Sequence, residues 1–500
     1  MSSAEQVPVP AAGAAPSESM DGLLDQIMNN APSTVERSQV QDMVQNLVTQ
    51  ALQGSVKYDR TLTRTINAAI KEIDSKLSKQ LSEVLHHEKL QKLEGSWRGL
   101  HHLVMKSETC ATLKIKLLQI SKDEVRKDLE DAVEFDMSET FRMVYTREYG
   151  QAGGEPFGAL MGDYEFTNHP DDIALLGNMS HIAASGFSPF ISAASPKLFG
   201  FDSFTKVNDS LRDIEKIFLG KDWIKWRAFR ESEDSRFVAL TLPRVMARLP
   251  YGAATRPIEE FSYEEADLDE DGNHLPLDHE KYTWMNSSYA YAARLTDAFA
   301  KTNWCTAIRG YMNGGVVEDL PVHIFTSEEG DREVKVPTEV LIPDRRDAEL
   351  SKQGFLACVY HKNSDKAIFM SGQTTQKPKV YDRAAATENA AISARLPYIM
   401  ASGRIAHFLK ILGRERLGSF MEREDCEKWL NRWISQYVLD DPNGGAEAKA
   451  RYPLAEAKIT VESVPGKPGA YNAKALLRPW LQLEELNAAI SMVASIPQKS

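Results

Sequence analysis

"FGALMGDYEF" (Phe157–Phe166) and "RFVALTL" (Arg236–Leu242) are short, largely apolar runs that read as strands buried in a core. "WCTAI" (Trp304–Ile308), "FLACVY" (Phe355–Tyr360) and "KAIFM" (Lys366–Met370) supply further strands by the same criterion, and "LKIKL" (Leu113–Leu117) alternates lysine with apolar residues as a half-exposed strand does. Between them Asn286–Lys301 and Leu396–Leu412 carry helical spacing. This interleaving predicts an α+β, mixed α/β fold and excludes an all-helical one.

Helices come first in the chain. "SMDGLLDQIMNN" (Ser19–Asn30) follows a head rich in Ala, Pro and Ser that is expected to be disordered, and puts Met20, Leu23, Leu24, Ile27 and Met28 on one apolar stripe. Ser33 and Glu36 form a capping box for a second helix, and Ile66, Ile70, Ile73, Leu77 and Leu81 repeat in steps of four and three along a third. That third stripe suits either a coiled-coil seam or a helical layer on the core.

The other end reads as a hairpin. After the linker-like "LDDPNGGAEA" (Leu439–Ala448), the period-2 sets Ala457, Ile459, Val461 and Tyr471, Ala473, Ala475, Leu477 flank the turn "PGKPG" (Pro465–Gly469). An isolated hairpin is marginal in water and offers open edges, so a tethered one is best explained by pairing with strands of another molecule. The expected organisation is a head and helical arm over 1–58, a core over 59–440 with subdomains at about 59–260 and 281–440, and the linker and hairpin over 441–500.

Chemistry is sparse. The 500 residues carry a formal charge of -12, which argues against nucleic acid as a partner of the body, and no apolar run is long enough for a membrane span. No secretory signal is evident, which predicts a cytoplasmic protein. Cys110, Cys305, Cys358 and Cys426 are scattered without any CxxC and read as reduced, buried thiols. No nucleotide loop, GxSxG elbow or HExxH occurs, so neither catalytic residues nor cofactor is expected. Cys358 with His361 is the nearest approach to a nucleophile and base. "DLDEDG" (Asp267–Gly272) opens like a calcium loop, but Asp278 stands where the closing glutamate belongs and Pro276 breaks the exit; the stretch Tyr263–Glu280 reads as a solvated acidic loop. His86, His87, His101 and His102 point in different directions on a helix and have no ligand cluster around them. In "EREDCEKWLNRW" (Glu422–Trp433), Trp429, Leu430 and Trp433 take one side and Glu422, Glu424, Asp425 and Lys428 the others, which suits a half-buried helix or a charged docking helix.

Several long blocks, in order, resemble one family: "LEGSWRGLHHLV", "GGEPFGALMGDYEF", "FVALTLPRVMARLPYG", "YAARLTDAFAKTNWCTAIRG", "QKPKVYDRAAATENAAISARLPYIMASGRIAHFLK", "EREDCEKWLNRWISQYV" and "VPGKPGAYNAKALLRPWLQLEEL". Together they look like the large subunit of the contractile sheath of bacterial type VI secretion systems, over nearly everything from Tyr58 onward. The resemblance implies a fold shared in part with phage tail sheaths and a heterodimer with a small sheath subunit. It also implies six-fold assembly on a baseplate into a helical tube around an inner tube protein, which contraction propels into a neighbouring cell. By the same resemblance, the strands around Ile459–Leu477 would link adjacent protomers, and the Met20–Met28 helix would be the handle gripped by an AAA+ ATPase that dismantles contracted sheaths. The charges at Glu422, Glu424 and Lys428 make the helix of "EREDCEKWLNRW" a candidate for docking on the inner tube or another partner. Two rivals stay open: the sheath of another phage-tail-like contractile system, and a cytoplasmic enzyme built on Cys358 and His361.

Overall fold

The computed structural model describes residues 62–482, apart from 207–212, 259–261, 270, 328, 420 and 467–468. The stripe Met20, Leu23, Leu24, Ile27 and Met28 and the capping box at Ser33 lie outside the described residues. The chain divides into two compact units, residues 1–85 with 257–265, and residues 86–256 with 266–500. In the first, helix α1 (Leu62–Leu85) follows the predicted periodicity. It buries Ala69 but leaves Ile70, Ile73, Leu77 and Val84 exposed, and Ser82 Oγ lies 2.9 Å from Tyr263 OH.

The second unit is built on a six-stranded sheet of order β1-β2-β3-β9-β10-β6. Its strands are β1 (Leu160–Phe166), β2 (Phe190–Ala194), β3 (Val238–Leu242), β6 (Val316–Val317), β9 (Phe355–Tyr360) and β10 (Ala367–Phe369). The first four in spatial order run parallel, with Leu160 opposite Phe190, Phe190 opposite Val238 and Leu240 opposite Phe355, whereas β10 is antiparallel to both neighbours. Two-residue strands β4 (Val245–Met246) and β5 (Trp284–Met285) form one small ladder, and β7 (His323–Thr326) with β8 (Arg332–Lys335) another.

Helices cover both faces of the large sheet, which is why its strands read as continuous apolar runs rather than as alternation. Alternate residues feed two different cores. Phe190, Val238, Leu240, Phe355 and Ala357 join the cluster that holds α4 (Pro170–Gly186) and α5 (Ile224–Glu231), with Trp226 stacked on Phe355. Ile191, Ala239, Leu356 and Cys358 join the cluster of α6 (Ser287–Thr302) and α9 (Leu396–Glu415). Asn286 caps α6 by accepting the Ser288 N–H at 2.8 Å, so the predicted helix starts where its cap does. The other longer helices among the described residues are α2 (Glu88–Met105), α3 (Lys122–Asp131), α7 (Asp344–Lys352), α8 (Ala384–Ser393) and α10 (Arg423–Ile434), with a π-helix at Arg142–Tyr149.

Two predicted strands are absent. Trp304–Ile308 is irregular: Trp304 and Ile308 are buried by tertiary packing, with Thr302 Oγ1 accepting the Trp304 N–H. Leu113–Leu117 keeps alternating burial up to Lys116 but belongs to no ladder. Strand β2, unpredicted, is fully buried. The acidic stretch is not wholly solvated either: His274 is buried, with Nδ1 2.7 Å from His323 Nε2, and Tyr282 OH lies 2.8 Å from His323 Nδ1.

Candidate subunit-linking site

The hairpin forms in the expected place, as β11 (Leu454–Ser463) and β12 (Tyr471–Pro479). Its register sets Ala457 opposite Leu477, Ile459 opposite Ala475, Val461 opposite Ala473 and Ser463 opposite Tyr471. Directly opposed residues share a face, so the two apolar sets lie together on one side of the ribbon instead of on opposite sides.

That face is only half covered. Ile459 and Val461 are buried with Leu430 and Ile434 of α10, Trp304, Ile405 and Leu454 in one cluster. Tyr471, Ala473 and Ala475 are exposed, as is Leu476 on the reverse. The hairpin is therefore seated on α10 and does not swing on a tether: the base is pinned where Leu439 N–H donates to the Leu454 carbonyl at 3.0 Å.

The seat includes main-chain chemistry. Asn431 Oδ1 accepts the Ile459 N–H at 2.9 Å, its Nδ2 donates to the Ile459 carbonyl at 2.7 Å, and Glu427 Oε2 accepts the Val461 N–H at 2.9 Å. One amide side chain thus does what a neighbouring strand would do at Ile459. Beyond β11, β12 has no strand neighbour among the described residues. The edge open to pairing in this region is β12. Replacing Asn431 by Ala leaves a partly buried N–H and carbonyl unmet; the expected result is a loss of about 1–3 kcal/mol, with faster amide exchange over Leu454–Ser463.

Glu424 and Lys428 are exposed on α10 and Glu422 at its N-cap, away from the buried Leu430 and Ile434, with Asp425 and Arg432 also exposed. Trp433 packs edge-on to Tyr437 at 5.4 Å and Trp429 lies under Arg416 at 4.8 Å, so the helix is half-buried as its sequence predicts.

Among the described residues the Cys358 and His361 pair is not brought together as a nucleophile and base. Cys358 is fully buried in the second core, and burial pushes its thiol up to about 12. His361 is exposed past the strand end, with Nδ1 3.2 Å from Ser364 Oγ. The thiols are free, but Cys110 is exposed, contrary to the expectation of burial. His87 caps α2, accepting the Lys89 N–H, and burial lowers His102 to about 4. The Asp269 carboxylate is taken up by the N–H groups of Asp271 and Asn273. No group of three or more potential metal ligands occurs among the described residues.

These features define a mixed α/β protein whose C-terminal hairpin carries a strand edge unpaired among the described residues. Residues 67–376 match the EvpB/VC_A0108 tail sheath N-terminal domain and residues 385–496 the EvpB/VC_A0108 tail sheath gpW/gp25-like domain. The chain belongs to the tail sheath proteins of type VI secretion and is a contractile sheath subunit. It is 45% identical over 464 residues to the type VI secretion system sheath protein TssC1 of Pseudomonas aeruginosa, covering 92% of each chain. Two cryo-EM structures of the anti-feeding prophage align at 11% identity. The baseplate structure has a TM-score of 0.35 over 64% of this chain and 65% of that one, and the contracted helical sheath 0.29 over 73% and 85%.

Proposed function

We propose that this sheath subunit works by strand exchange between protomers. With a small sheath subunit it forms a cytoplasmic, six-fold helical tube on a baseplate, around an inner tube protein, and it makes and breaks no covalent bond. The observation that carries this reading is the asymmetry of the hairpin: β11 is tied to α10 by Asn431 and Glu427, whereas β12 keeps an open edge beside the exposed Tyr471, Ala473 and Ala475. A strand joined there links protomers through main-chain hydrogen bonds, so neighbours remain attached while they move past one another in contraction. The chain organisation follows as a helical arm at the N-terminus, a core, and the linking hairpin.

Glu424 and Lys428 on α10 and Glu422 at its N-cap present exposed charge and are proposed to face the inner tube or another partner. The Met20–Met28 stripe is proposed as the handle for an AAA+ ATPase that recycles contracted sheaths. Among the described residues no helix is long and apolar enough to cross a membrane.

Electron microscopy of the chain expressed with and without a small sheath subunit tests the assembly. Hollow tubes in the co-expressed sample alone are the expected result, and soluble particles in both would overturn it. Deleting residues 19–30 is expected to leave tubes intact and abolish their ATP-dependent disassembly; an unchanged disassembly rate would remove the handle from the proposal.

A further inference from the structure

A second open edge lies far from the hairpin in sequence. Strand β1 pairs with β2 on one side and ends the six-stranded sheet. The segment that precedes α3 runs beside it in the same direction. Ile115 and Met161 both pack on the cluster of Leu103 and Tyr289, Lys116 Nζ sits 5.3 Å from the centre of the Phe157 ring, Tyr164 OH donates to the Ile120 carbonyl at 2.9 Å, and Lys122 Nζ donates to the Glu165 carbonyl at 2.8 Å.

The segment is thus held by its side chains, while its main chain is left open. From Lys114 to Gln119 no backbone N–H or carbonyl pairs with another backbone group among the described residues. Leu117 and Leu118 are 67% and 56% exposed. Six consecutive unpaired peptide groups with two bare leucines are an edge that an assembled protein has to cover. The alternation reads as strand, yet no ladder takes the segment up among the described residues.

The charges choose between occupants. Two copies pairing antiparallel with Leu113 and Ile115 kept inward set Lys114 opposite Lys116 when centred on Ile115, or Lys116 opposite itself when centred on Lys116, and like charges directly opposed are unfavourable. Centred on Leu117, the pairing sets Lys116 against Leu118. Within the chain Lys114 pairs with the exposed Glu155 and Lys116 with the half-buried Glu148, and since both lysines are themselves largely exposed such pairs are weak enough to exchange partners.

We infer that Lys114–Gln119 is the acceptor edge for an extended strand of a different polypeptide in which acidic and apolar side chains alternate. Resting on the reading above, that polypeptide is the small sheath subunit. Its carboxylates would lie beside Lys114 and Lys116 and its apolar residues against Leu117 and Leu118.

Hydrogen exchange of the full chain, alone and in complex with the small subunit, tests this. Amides of residues 114–119 are expected to exchange freely in the chain alone and to slow by about a hundredfold or more in the complex. A complex that forms with these amides still exchanging freely would overturn the inference and leave the heterodimer standing; failure to form any complex would overturn both. Protection in the concentrated chain alone would mean self-pairing and would also sink it. Leu117→Pro removes an N–H that has no backbone partner among the described residues, so its thermal midpoint should hold while complex yield falls about tenfold or more. Normal complex yield from both Leu117→Pro and Lys116→Pro, whose N–H groups point to opposite sides, contradicts strand addition.

Discussion

Gly95→Ala is expected to lower the stability of the chain by about 3 kcal/mol, measured by chemical denaturation, although alanine is the better helix former by about 1 kcal/mol. Gly95 and Gly99 sit one turn apart on the buried side of α2. A Cβ on Gly95 would come 2.2 Å from the Trp284 carbonyl oxygen, and one on Gly99 2.3 Å from the Tyr289 ring. Neither obstacle yields cheaply, since the first is main chain of β5 and the second a buried ring at the start of α6. The helix would have to lift. Lifting it strains what fixes α2 to the rest of its unit: Glu94 Oε1 accepts from Arg98 Nε and Arg248 Nε, both at 2.7 Å, and Oε2 from Thr283 Oγ1 at 3.2 Å. Lys92→Ala, on the exposed side of the same helix, should stay within about 0.5 kcal/mol of the parent. Equal stability of the Gly95→Ala chain would mean that α2 tolerates displacement from β5.

What the sequence made legible was local. Strand β9 runs from Phe355 to Tyr360 as its apolar run indicates, α6 begins after its Asn286 cap, and the "PGKPG" turn places the hairpin. Strand β2 escaped because Ser192, Ala193 and Ala194 carry little strand preference; its conformation is imposed by β1 and β3 on either side. Leu113–Leu117 shows the reverse case, in which the alternation is strand-like but no ladder takes the segment up among the described residues. At the hairpin the residues could be picked out but not their partners: Asn431 lies 28 positions from Ile459, and nothing in its spelling says that it replaces a strand. The same holds for the glycines of "LEGSWRGL", whose four-residue spacing was visible while the close approach that requires it was not.

Glu339→Gln is expected to destabilise the chain by about 3 kcal/mol at neutral pH, and to do so less and less as the solution is acidified. The side chain of Glu339 is wholly buried, and Arg244 grips it with both prongs, Nη2 to Oε1 at 2.7 Å and Nε to Oε2 at 3.0 Å, while the Glu339 N–H donates to the Arg244 carbonyl at 2.9 Å. The clasp closes Thr338 against Val245, just past the central strand β3. Burial alone would raise the carboxyl; the Arg244 guanidinium, with His279 nearby, outweighs it and holds the group down from 4.5 to about 2. A carboxylate whose pKa is lower in the folded chain stabilises fully above its unfolded value and loses that contribution as pH falls through the window from about 4.5 to 2. Glutamine cannot titrate, so the stability gap between parent and variant should be constant above pH 6 and shrink by about 1 kcal/mol between pH 4.5 and 3.5. Taking the difference removes the other depressed carboxylates, Glu94, Asp128 and Asp172, which titrate in both proteins alike. Arg244 keeps 34% of its side chain in solvent, so stranding it costs less than stranding a fully buried cation. A gap that stays the same down to pH 3.5 would show that the clasp acts through shape and hydrogen bonding alone. A gap that closes on schedule would show that a charged lock fixes Thr338 against Val245, just past the central strand β3.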